Sequence, residues 1–200
     1  MSIRASVSGF DLRKMMALIG CGNPAVADRV EAYVRALPAY RDVWSEDVDA
    51  AVGLLRQVIL GDLKPGSIEV EDGALVDAMD ELAHFDQKHL ETNAAVWRAA
   101  HLQWAFGLPA NLDGAEKIAW ADARTLVHYA VVERPLFGSH QEHDGGAAYG
   151  YLYLDEVRRL LGYSARFPRL AEDEFGFASA FFGWLEEIAA AGNDYWCHAA

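Results

Sequence analysis

Apolar positions along the chain recur at two spacings. Between Ser2 and Ser8 they alternate, with Ile3, Ala5 and Val7 on one side and Arg4 opposite, which predicts a short strand. From Asp11 the period turns helical. Leu12, Met15, Met16 and Ile19 predict a helix capped by Asp11 and stopped by Gly20 or Gly22. Asn23-Pro24 starts a second helix, with Asn as cap and Pro at the first helical position. Its apolar stripe is Val26, Val30, Tyr33, Val34 and Leu37, and Pro38 ends it. Ser45 opens a third, with Val48, Val52, Leu55, Ile59 and Leu60 inward and Gly61 closing.

Lys64-Pro65-Gly66-Ser67 reads as a turn, followed by a connector or brief strand at Ile68-Glu69-Val70. Asp72 caps a long helical tract with Leu75, Met79, Leu82 and Phe85 at core spacing. Helical character resumes at Thr92, with Val96, Trp97, Ala100 and Trp104, and stops at Pro109. A helix over 114–133 places Ile118, Ala121, Leu126, Tyr129 and Val132 inward, and Arg134-Pro135 ends it. Gly138 to Gly150 reads as an irregular loop, and Tyr149 to Leu154 as an aromatic strand. Asp155 caps a short helix through Leu161. A last helix spans Ala171 to Ala191, stopped by Gly192-Asn193, and Tyr195-Trp196-Cys197 returns as a strand.

The expected fold is therefore α+β and mostly helical: about seven helices and a small sheet of two or three short strands. The sheet would pair the N-terminal strand, Tyr149–Leu154 and the C-terminal tail. The 200 residues fit a single globular domain, 1–200.

Charge narrows the function classes. Lys plus Arg is 17 and Asp plus Glu is 30, a formal net charge of −13. That disfavours a nucleic-acid binder, whose phosphate-tracking surface needs a basic excess. Hydrophobic residues at 52% exclude a disordered chain. Two cysteines are too few for a disulfide framework, and no apolar run is long enough to span a membrane. Leu18-Ile19-Gly20-Cys21 matches a lipobox. The apolar stretch before it is too short for a secretory signal, so the expected location is the cytoplasm.

Candidate chemistry is sparse. His140, Glu142, His143 and Asp144 lie within one glycine-rich loop and carry metal-ligand atoms, though in no familiar zinc spacing. Glu81 and His84 share a helix face, but the second half of a di-metal motif is missing. Nothing resembles a nucleophile elbow or a phosphate cradle, so no catalytic residue and no cofactor is assigned. Acidic clusters stand at Glu46, Asp47 and Asp49 and at Glu172, Asp173 and Glu174. Each suits a helix N-terminus or a face turned to a basic partner. Tyr149, Tyr151 and Tyr153 alternate onto one side of a strand, and Tyr151 and Trp196 are candidate aromatic anchors.

Arg134-Pro135-Leu136, then a glycine-rich loop, Gly150-Tyr151-Leu152 leading into Asp155-Glu156-Val157, and a late Gly192-Asn193-Asp194-Tyr195-Trp196 stand in that order along the chain. With the opening Phe10-Asp11-Leu12, it resembles an uncharacterised bacterial family of acidic proteins of similar length. That family has no established activity, so no residue role follows from it. By composition the chain is also similar to toxin-immunity proteins, which bind a basic toxin domain. The leading expectation is stoichiometric binding of a basic protein partner. The alternatives are a small-molecule or metal-dependent enzyme using the 138–150 loop, and a self-associating structural protein.

Overall fold

The structure, a computed structural model, describes residues 5–38, 45–63, 73–87, 90–92, 112–131, 134, 148–167 and 177–199. Among them stand seven helices and four strands, so the fold is α+β and mostly helical. No sequence feature marks a boundary, yet the chain falls into two compact units. The first draws its described residues from 5–10, 90–92, 112–131, 134, 149–167 and 177–199; the second from 11–38, 45–63, 73–87 and 148.

The second unit is helical and local in sequence. It holds α1 (Leu12–Leu18), α2 (Pro24–Ala36), α3 (Ser45–Leu60) and α4 (Gly73–His84). Asp11 caps α1 by accepting from the Arg13 N–H, and Asn23 caps α2 by accepting from that of Ala25. Val30 and Val34 of α2, Leu55 and Ile59 of α3, and Met79 and Leu82 of α4 are buried, as their spacing predicts. Gly20 and Gly22 have φ of +67° and +68°. Their N–H groups donate to the Val58 and Ile59 carbonyls, tying the turn to the end of α3. Cys21 between them is exposed. Cleavage at the lipobox-like match would remove buried Leu12 and Met15 and the strand that precedes them.

The first unit is built around a sheet of β1 (Ala5–Phe10), β2 (Leu90–Thr92), β3 (Ala148–Leu152) and β4 (Asp194–Ala199), in the order β2-β1-β4-β3. Strand β1 pairs antiparallel with both neighbours; Val7 lies opposite Cys197 and Thr92, and Phe10 opposite Asp194. The expected three strands do share the sheet. Strand β2 adds a fourth at the point where the sequence pattern predicts a helix from Thr92.

Helices α5 (Gly114–Val131), α6 (Leu154–Arg166) and α7 (Phe177–Ala190) complete this unit. Val7, Leu152, Tyr195 and Cys197 from the sheet join Leu126, Leu160, Phe181 and Leu185 from the helices in one core cluster. On the opposite sheet face Ser8, Phe10, Tyr151 and Trp196 are buried too. Helix α7 ends where Gly192 takes a φ of +73° and the Asn193 N–H bonds back to the Ile188 carbonyl.

Two expectations change. Ile118 and Ala121 face solvent rather than the core. The buried stripe of α5 is Trp120, Ala123, Leu126, Val127 and Ala130, a helical period offset from the predicted one. Helix α6 starts before Asp155 and runs past Leu161, with Tyr153 at its N-cap position. The calls at Ile68–Val70, Val96–Trp104, Glu172–Glu174 and His140–Asp144 lie outside the described residues.

Candidate functional site

The most organised polar cluster forms where α6 begins. Gly150 makes it possible. A Cβ there would sit 2.5 Å from the Tyr129 carbonyl oxygen and 2.6 Å from that of Ala130, so only glycine lets β3 run against the end of α5. That approach places Tyr129, Tyr151 and Tyr153 around one cation. The Arg134 guanidinium lies 4.9, 4.5 and 5.2 Å from their ring centroids.

Arg134 donates to the Glu156 carboxylate at 2.5 Å and to the Tyr151 carbonyl at 3.4 Å. The same Glu156 carboxylate accepts from the Tyr153 N–H at 2.9 Å, satisfying a donor at the start of α6. Asp194, buried in β4, accepts from the Leu154 N–H at 2.7 Å. Two carboxylates thus cap one helix, one from its own first turn and one from a distant strand.

Burial works against the charge of Arg134, but the hydrogen bond to Glu156 and the neighbouring charges outweigh it and raise its pKa. Burial also raises the pKa of the Tyr151 hydroxyl, with the Arg134 charge opposing. Deeper in the unit, burial lifts Tyr195 well above the ordinary tyrosine range, and its contact with Cys197 adds to that.

Three stretches far apart in the chain meet in this cluster: Arg134, Tyr151 through Glu156, and Asp194 through Trp196. Sequence spacing flags the Tyr151–Tyr153 alternation but does not single out Tyr129 or the bridging role of Arg134. Only the Arg-Pro helix stop hints at a special residue there. The arrangement fastens α5, β3, α6 and β4 together and leaves Arg134 and Glu156 slightly exposed, at 22% and 14% of their side-chain surface.

The remaining candidates sit as follows. Trp196 is fully buried, stacked on Tyr151 with centroids 6.4 Å apart and tilted against Phe10 at 6.1 Å. Tyr151 is 7% exposed. A ring closed off from solvent offers no face to a partner, so neither serves as an aromatic anchor in this fold. Asp49 is exposed and paired with Arg35 at 2.8 Å. Glu46 and Asp47 lie in the first turn of α3, with side chains outside those described. Among the described residues no group of three His, Cys, Asp or Glu side chains is placed to hold a metal ion. None of their helices is long and apolar enough to cross a membrane.

No family model, curated protein or solved structure matches the chain significantly.

Proposed function

We propose that the protein acts by stoichiometric binding of a basic protein partner in the cytoplasm, as immunity and inhibitor proteins do. The supporting observation is the charge balance: 30 acidic against 17 basic side chains. The field of such a surface attracts a positively charged domain and raises its association rate. Arg29, Arg35, Arg56, Arg134 and Arg159 are each paired internally with a carboxylate, so much of the positive charge is already engaged. Asp62, Asp155, Glu186 and Glu187 are exposed and make no ion pair among the described residues. The acidic clusters at Glu46, Asp47 and Asp49 and at Glu172, Asp173 and Glu174 extend the same reading.

The test is a pull-down with tagged protein from source lysate at low and moderate salt, read by mass spectrometry. The expected result is one stoichiometric basic protein that dissociates as salt rises. Glu186→Lys with Glu187→Lys, and separately Glu46→Lys with Asp47→Lys, then identify which acidic face steers it. A partner whose association rate ignores salt and both reversals overturns the electrostatic reading, as does the absence of any stoichiometric basic protein.

A further inference from the structure

We draw no further inference here: the strongest candidate, the cage of Tyr129, Tyr151 and Tyr153 around the Arg134 guanidinium where β3 runs against the end of α5, belongs to the site already described and is filled by the protein's own arginine, with nothing in the structure pointing to another occupant.

Discussion

The two units are held together by different physics. In the helical unit, polar side-chain links run across the surface: Arg29 to Asp86 just past α4, Arg35 to Asp49 and Arg56 to Asp28, with every partner more than 40% exposed. In the sheet unit Arg159 to Asp122 is similarly exposed, but three other links are partly withdrawn from water: Arg134 to Glu156, Asp194 to the Leu154 N–H, and the Asn193 side chain to the Gly9 carbonyl. Surface pairs are screened and contribute little, whereas a polar group partly withdrawn from water is costly to leave without its partner. The helical unit can therefore lose its visible bridges and keep its fold, while the sheet unit depends on the three links withdrawn from water.

Variants in the sheet unit should show this most strongly. Trp196→Ala removes a fully buried ring stacked on Tyr151 and is expected to cost about 3–5 kcal/mol in urea denaturation. Gly150→Ala drives a methyl group into two backbone carbonyls that cannot swing away. Its cost should lie at or above the roughly 1–3 kcal/mol usual for overpacking. Asp194→Ala uncaps α6 from the strand side, for about 1–2 kcal/mol. In the helical unit, Arg35→Gln and Arg56→Gln should change stability least, and high salt should erase what difference there is. A large, salt-resistant loss from either would break the comparison.

Tyr195 supplies a pH test of the same contrast. Its pKa is raised in the folded chain, so the folded state keeps a proton that the unfolded chain releases above the ordinary tyrosine range. Its contribution is fully present below about pH 10 and is lost as pH climbs from there toward the folded pKa. Thermal midpoints should therefore fall through that alkaline window, and Tyr195→Phe should flatten the fall. An unchanged slope in that variant would remove Tyr195 as the cause.

Helices α1, α2 and α3 were legible because their signals are local. Asp11, Asn23-Pro24 and Gly61 act within a turn of where they stand, and apolar stripes need no knowledge of the rest of the chain. Strand β2 was not legible. Leu90-Glu91-Thr92 has no strand pattern of its own and becomes a strand through its pairing with β1. Helix α5 was legible as a helix but not in its facing. The large Ile118 outweighed the small Ala119, Ala123 and Ala130 that actually pack, because small residues fit a close interface without raising the apolar signal. The start of α6 was misplaced because Asp155 is not its cap: Glu156 of the first turn and Asp194, forty residues from Leu154, accept from its first N–H groups.

The candidate site was legible only in fragments. The alternating tyrosines and the Arg134-Pro135 helix stop stand out in the sequence, whereas Glu156 and Asp194 carry no signal of their own. That they form one cage and one double cap depends on Gly150 letting β3 approach α5. The sequence alone determined the helical character, the acidic charge and most of the element boundaries, since propensity, capping and net charge are local or additive properties. The tertiary structure decided which face of α5 is buried, which aromatic rings are closed from solvent and which carboxylates cap α6. Those outcomes depend on close packing between segments far apart in the chain, which no local pattern encodes.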